Sequence, residues 1–275
     1  MARLRLQRTV RFCVSPFAAT QPAGFNHYAG MPTGAGLALY LELAVELEGE
    51  ADPETGFFIN ICDVDPPVRR HAVPLLTQLI ADTYRAGRDV ALTALLVPLR
   101  TSLKRLAEAF APLVVKKLEL RLNPFRRMTL IAEADNMVHY SEKFEFSATH
   151  QLWNPKLDDE ANRRLFGKCA NPSGHGHNYA IEITVKGTSL DAFDSLSFQE
   201  VIDRHVVEPL DHTNLNLDVP YFQSHNPTIE NIAIFAWEQL QDHVEGLALD
   251  CIRVWESERS CCAYGGTTQA SKSEE

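Results

Sequence analysis

Alternating apolar and polar residues in the second half of the chain predict an antiparallel β-strand. Between residues 179 and 186 the odd positions are tyrosine, isoleucine and valine, and the even positions are small, polar or charged. This period of two is typical of a strand with one covered face. Capping-box spacing at Ser197 predicts a helix, and a one-sided apolar stripe after Asn226-Pro227 predicts a second. Two further strands complete a β-β-α-α-β-β order, over residues 138–149 and 251–263.

The first half of the chain repeats this order. Residues 37–47 alternate leucine or valine with other residue types, helical spacing follows at 73–84 and 99–110, and a late strand is expected over 117–122. We therefore expect an α+β protein of two tandem units, each a four-stranded antiparallel sheet with two helices on one face. The expected boundaries are 1–134 and 135–266 for the units and 267–275 for a disordered polar tail.

Composition and charge narrow the classes of partner. The chain has 275 residues, of which 45% are hydrophobic, and a formal net charge of −10, which argues against binding nucleic acid or an anionic membrane. Its most apolar stretch, residues 90–99, falls short of the roughly 20 residues that span a bilayer. Six cysteines without a CxxC pair favour a reducing, cytoplasmic compartment over a disulfide framework.

Three histidines continue the apolar rows of two predicted strands. His150 follows the row of the strand that precedes it, and His175 and His177 lead into the alternation that starts at residue 179. Histidines two apart on a strand share a face, and a third from a neighbouring strand completes a zinc shell with an open position. The alternative is a set of hydrogen-bonded structural histidines.

Three other residues have side chains suited to proton transfer. Cys169 lies in a loop of turn residues, so it is expected to be accessible. It could act as a base or nucleophile, serve as a fourth zinc ligand, or be inert. Asp211 and His212 follow the first predicted helix of this half, where they form either a proton relay or a routine helix stop.

A carboxylate occupies a predicted apolar position near the end of the chain. Glu256 shares a strand face with Ile252 and Val254. A buried carboxylate needs hydrogen-bond donors, and a ligand with two N–H groups would supply them. In the alternative, Trp255 faces the core and Glu256 is solvated.

The first unit lacks this chemistry. Alignment of the two halves places apolar or small residues opposite the histidines and Glu256 of the second half: Leu37, Leu39, Ala18 and Pro124. This difference is expected if the second unit alone carries the function.

The second half resembles the 6-pyruvoyltetrahydropterin synthases of the tunnelling-fold superfamily, which also includes 6-carboxytetrahydropterin synthase. Six motifs carry the resemblance, in family order: Phe146-Ser147-Ala148-Thr149-His150, Leu165-Phe166-Gly167-Lys168-Cys169, Gly174-His175-Gly176-His177-Asn178-Tyr179, Leu210-Asp211-His212-Thr213-Asn214-Leu215, Pro227-Thr228-Ile229-Glu230-Asn231 and Trp255-Glu256. It implies that each unit has the tunnelling fold, the first in degenerate form.

The resemblance also implies roles for these residues. Zinc would be bound by His150, His175 and His177. Cys169 would be the general base, with Asp211 and His212 as its proton relay. Glu256 would anchor the pterin ring, with Thr228 and Glu230 in the neighbouring substrate-binding segment.

The implied reaction converts 7,8-dihydroneopterin triphosphate to 6-pyruvoyltetrahydropterin and eliminates triphosphate. The alternatives are a 6-carboxytetrahydropterin synthase of queuosine-type deazapurine synthesis and a non-catalytic, zinc-containing pterin-binding protein. Family members usually have one unit per chain and assemble as two stacked trimers with active sites at subunit interfaces. With two units per chain, we expect a homo-oligomer, a homotrimer of two-unit chains, in which half of the sites bind metal.

Overall fold

The computed structural model describes residues 3–17, 36–133 and 137–266. The chain divides into two compact units, Met1–Tyr140 with Gly187–Asp191 and Ser141–Lys186 with Ala192–Glu275. The predicted boundary between residues 134 and 135 and the predicted disordered tail, 267–275, lie outside the described residues. No helix in the described part of the chain is long and apolar enough to cross a bilayer.

The described residues of unit 1 form four strands and three helices. They are β1 (Arg3–Val14), β2 (Leu39–Glu50), α1 (Ile61–His71), α2 (Val73–Arg85), α3 (Leu92–Phe110), β3 (Val114–Arg121) and β4 (Arg126–Ile131). The predicted helices at 73–84 and 99–110 correspond to α2 and to part of α3. Helix α1 is additional: Asn60 caps it by accepting the backbone N–H of Cys62 at 3.0 Å, and Pro66 and Pro67 lie inside it.

The two faces of the unit 1 strands differ in chemistry. β1, β2, β3 and β4 pair antiparallel in that order. One face packs an apolar core in which Leu43, Val45 and Leu47 of β2 are fully buried, as the alternation predicts. The other face has ion pairs between directly opposed residues, including Arg5–Glu48 at 3.0 Å and Arg11–Glu42 at 3.3 Å.

One ion pair lies on the apolar side instead. The guanidinium of Arg8 donates to both carboxylate oxygens of Asp65, at 2.7 and 3.0 Å, and Asp65 is fully buried. The hydrogen bond from Asp65 raises the pKa of Arg8 above its ordinary value. Such a pair ties α1 to β1, because either partner alone would be a buried, uncompensated charge.

The second half contains the elements that position the candidate site. They are β5 (Val138–His150), α4 (Asp159–Phe166), β6 (His175–Gly187), α5 (Ser195–Ile202), α6 (Glu208–Leu210), β7 (Thr213–Asn214), α7 (Leu215–Asp218), α8 (Ile229–Leu240), β8 (Ala248–Ser257) and β9 (Ser260–Tyr264). The helix predicted from the capping box at Ser197 corresponds to α5. Its N-cap is Asp194, three residues before the predicted cap Ser197. A π-helical turn over 203–207 joins α5 to α6.

The strand pairings extend beyond the prediction. Among the described residues, the strand order in unit 1 is β1-β2-β3-β4, and in the second half it is β5-β6-β8-β9, with the short strand β7 parallel to β5. The prediction of a separate four-stranded sheet in each unit is not confirmed. The α+β class, with antiparallel strands and helices, is confirmed.

Candidate metal centre and active site

The structure brings the three predicted histidines together at two strand ends. His150 is the last residue of β5, and His175 and His177 are at the start of β6. The nitrogens that these rings could offer to a metal all lie within 4.8 Å of one another. His150 is 1% exposed, and the other two rings are half-buried. Among the described residues, this is the one group of three or more side chains suited to holding a metal ion.

Hydrogen bonding defines which nitrogen of His150 is available. Its Nδ1 lies 2.7 Å from the carbonyl oxygen of Pro227, and because a carbonyl only accepts, Nδ1 carries the proton and donates. The Nε2 lone pair is then free, and it lies 3.1 Å from Nε2 of His175. Two imidazole nitrogens on one tetrahedral Zn²⁺ would lie about 3.3 Å apart.

Two further observations test whether a metal fits. Burial lowers the pKa of both His150 and His175, so both are neutral near pH 7, as metal ligands must be. Nε2 of His177 is buried and has no hydrogen-bond partner. A set of purely structural histidines would leave that nitrogen unsatisfied, whereas a metal ion would use it, so the residues fit a metal.

Glu256 faces this cluster. Ile252 and Val254 of β8 are buried, and Glu256 follows them on the same side, with Oε1 3.6 Å from Nε2 of His177. Trp255 is also half-buried, and the Nζ of Lys143 lies 5.6 Å from its ring centroid. The residue of this pair with a contact to the histidines is Glu256.

Cys169 lies in the short 3₁₀ turn Gly167–Ala170 that follows α4, and it is half-buried. Burial raises the pKa of its thiol, and the nearby Glu256 carboxylate raises it further. These surroundings favour the neutral thiol, so Cys169 needs a proton acceptor to become a base.

Asp211 and His212 form a dyad at the end of α6. Oδ2 of Asp211 lies 2.7 Å from Nδ1 of His212, and Oδ1 accepts the backbone N–H of Ser147 at 2.8 Å. These hydrogen bonds lower the pKa of Asp211. His212 has a φ of 56°, a left-handed conformation that is uncommon for a non-glycine residue. Its side chain is 82% exposed.

The dyad does not reach Cys169 in this chain. No hydrogen bond or ion pair among the described residues joins the thiol to either side chain. His212 lines a cavity of about 520 Å³ together with Ser147, Asn178 and the site histidine His177. Within the described part of the chain, no direct contact therefore joins the dyad to the thiol, and the relay stays a prediction.

The segment predicted to bind substrate also contacts the histidine cluster. Thr228 is the N-cap of α8, and Glu230 is exposed in its first turn. The backbone carbonyl of Pro227 in the same segment contacts His150, which no side-chain pattern could have indicated. Tyr179, whose hydroxyl lies 3.4 Å from Nδ1 of His150, was predictable because it continues the row of His175 and His177.

Comparison with known proteins identifies relatives of the second half of the chain. A family model described as 6-pyruvoyl tetrahydropterin synthase matches residues 139–267. The human 6-pyruvoyl tetrahydrobiopterin synthase is 38% identical over 130 residues, which are 46% of this chain and 90% of the human protein. The 6-carboxy-5,6,7,8-tetrahydropterin synthase of Haemophilus influenzae is 26% identical over 156 residues, 46% of this chain and 99% of that protein. The solved 6-pyruvoyl tetrahydropterin synthase of Caenorhabditis elegans has a TM-score of 0.45 and 31% identity, and the match covers 48% of this chain and 96% of that one.

Fold and site thus define an α+β protein with a candidate three-histidine metal centre in its second half. The chain belongs to the 6-pyruvoyl tetrahydropterin synthase family, a family of lyases of pterin biosynthesis. The family model leaves residues 1–138 unmatched.

Proposed function

We propose that this chain is a zinc-dependent lyase that converts 7,8-dihydroneopterin triphosphate to 6-pyruvoyltetrahydropterin with elimination of triphosphate. The observation that carries the proposal is the cluster of His150, His175 and His177 beside Glu256, within the half of the chain that matches the family. Bound by these histidines, zinc would act as a Lewis acid that polarises the substrate's side-chain hydroxyls and acidifies the adjacent C–H.

Glu256 would orient the substrate. Its carboxylate would accept two N–H groups of the pterin ring through charge-assisted hydrogen bonds. Because Oε1 lies 3.6 Å from Nε2 of His177, the ring would then lie next to the proposed metal ligands. Thr228 and Glu230 would also bind the substrate, because their segment begins at Pro227, which contacts His150.

Cys169 would remove the substrate proton as the general base. Because its pKa is raised, the resting thiol must first lose its own proton, and Nε2 of His212 would accept it while Asp211 holds Nδ1–H. The dyad does not meet Cys169 within the chain, so we propose that a neighbouring copy supplies it in a homo-oligomer, a homotrimer of two-unit chains.

The first unit would serve as a degenerate tunnelling-fold partner without its own metal. The described residues contain a single metal-capable histidine cluster, so we expect one zinc per chain. Elemental analysis that finds two zinc ions per chain would contradict this assignment.

The test of function is mass spectrometry of the products formed by zinc-loaded protein from 7,8-dihydroneopterin triphosphate. Triphosphate with a 6-pyruvoyl product supports the proposal. A 6-carboxy product with acetaldehyde supports the deazapurine alternative, which the Haemophilus relative favours. Absence of turnover supports a pterin-binding protein with a zinc clamp.

Two variants distinguish an enzyme that uses Cys169 as its base from a non-catalytic protein with a structural zinc ion. Cys169→Ala should bind zinc normally and lose turnover, whereas Cys261→Ala, which changes an exposed thiol on β9, should leave both unchanged. Full turnover by Cys169→Ala would show that Cys169 is not the base.

A further inference from the structure

The loop before α8 reaches back to the candidate metal centre. Pro227 is buried, and its carbonyl oxygen accepts Nδ1–H of His150 at 2.7 Å. This contact selects the tautomer whose Nε2 lone pair points toward His175. The direction of one backbone carbonyl therefore decides which nitrogen His150 presents to a metal.

Asn226 holds that carbonyl in place. Its side-chain Oδ1 accepts the backbone N–H of Trp153 at 3.0 Å, and Trp153 is only three residues beyond His150. Its backbone carbonyl accepts the side-chain amide of Asn231 at 2.7 Å and the N–H of Thr228 at 2.8 Å. The segment that follows His150 and the loop that contains Pro227 are thus joined by a second hydrogen bond, through the side chain of Asn226.

From this closed set of hydrogen bonds we propose that Asn226 is a positioning residue for the metal-binding nitrogen of His150. The inference rests on the proposed metal centre and extends it to a residue that does not touch the metal. Partners of this kind orient ligand imidazoles, and their loss costs about 10- to 100-fold in metal affinity.

Two substitutions of Asn226 test its hydrogen bond with Trp153. Trp153 N–H needs only an acceptor, so Asn226→Asp keeps the contact and Asn226→Ala removes it. Asn123→Ala is the matched control, because Oδ1 of Asn123 also accepts backbone N–H groups, those of Phe125 and Arg126, in a turn of unit 1.

The experiment measures Zn²⁺ affinity by competition with a chromophoric chelator and the visible absorption spectrum of the Co²⁺-loaded full chain. Asn226→Ala should lose about 10- to 100-fold in Zn²⁺ affinity and show an altered Co²⁺ spectrum. Asn226→Asp and Asn123→Ala should match the unsubstituted protein. If Asn226→Ala fails to fold, Asn231→Ala, which removes the amide donor to Asn226, should weaken affinity in the same direction.

The outcomes distinguish the positioning role of Asn226 from the existence of the metal centre. Tight Zn²⁺ binding by the unsubstituted protein with unchanged affinity and spectrum in Asn226→Ala overturns the positioning role alone. Weak binding by the unsubstituted protein overturns the metal centre and the role together. Loss in Asn226→Ala without rescue by Asn226→Asp also overturns the role, since the acceptor would then not be what matters.

Discussion

Mixing two inactive variants of this chain, Cys169→Ala and His212→Ala, should restore turnover. Each substitution alone removes one end of the proposed proton relay, for which we expect a loss of about 10²- to 10⁴-fold. In the structure the Asp211–His212 dyad is hydrogen-bonded to the backbone of Ser147, and no hydrogen bond among the described residues joins it to Cys169. In the proposed homo-oligomer the dyad would serve a thiol in another copy.

The expected recovery follows from counting competent sites. In a fully exchanged equal mixture, half of the sites have a thiol, and half of those receive an imidazole from the neighbouring chain. Turnover should then reach about one quarter of the unsubstituted value, because each site of a symmetric oligomer draws its two groups from adjacent chains.

The assay measures triphosphate release after subunit exchange, with native mass spectrometry to verify that mixed oligomers formed. The control mixes His212→Ala with the double variant Cys169→Ala/His212→Ala, which provides no imidazole and should stay inactive. Verified exchange without recovery would refute the reasoning and place the relay within one chain.

Three other predictions test the site and the fold. Glu256→Gln should lower kcat/KM by about 100-fold, since a charge-assisted hydrogen bond contributes roughly 3 kcal/mol at most; normal steady-state kinetics would contradict this. The metal-free protein should lose stability to urea as the pH falls below about 6.5, because burial lowers the pKa of His150 in the folded state and the unfolded chain then binds more protons; a flat profile would oppose it. Asp65→Ala should cost about 3–5 kcal/mol by stranding Arg8, and the exposed Asp82→Ala under 1 kcal/mol, as measured by urea unfolding; equal costs would contradict the burial argument.

Alternation along the strands predicted how the three histidines come together. The parity that buries Tyr179 and Ile181 also brings His175 and His177 to one face, because a strand repeats every two residues. The same argument predicted the side on which Glu256 lies. These features depend only on positions along one strand, so the sequence contains them.

Other features depend on contacts between distant segments. Where His212 lies is decided by the pairing of β7 with β5, a two-residue contact that no pattern marks. The acceptor for His150 is a backbone carbonyl, and every residue has one, so its identity gives no signal. Helix α1 was missed because Pro66 and Pro67 suggest a break rather than a helix.

The ion pairs on the charged face of the unit 1 strands influence how these strands align during folding. Arg5 faces Glu48 and Arg11 faces Glu42 in the same register that places Val10 and Phe12 in the core. A slip of β1 by one residue would turn Arg5 and Arg11 into the apolar layer. The strand alignment is thus specified twice, once by each face, and a misaligned intermediate is penalised by both desolvation and lost charge pairing.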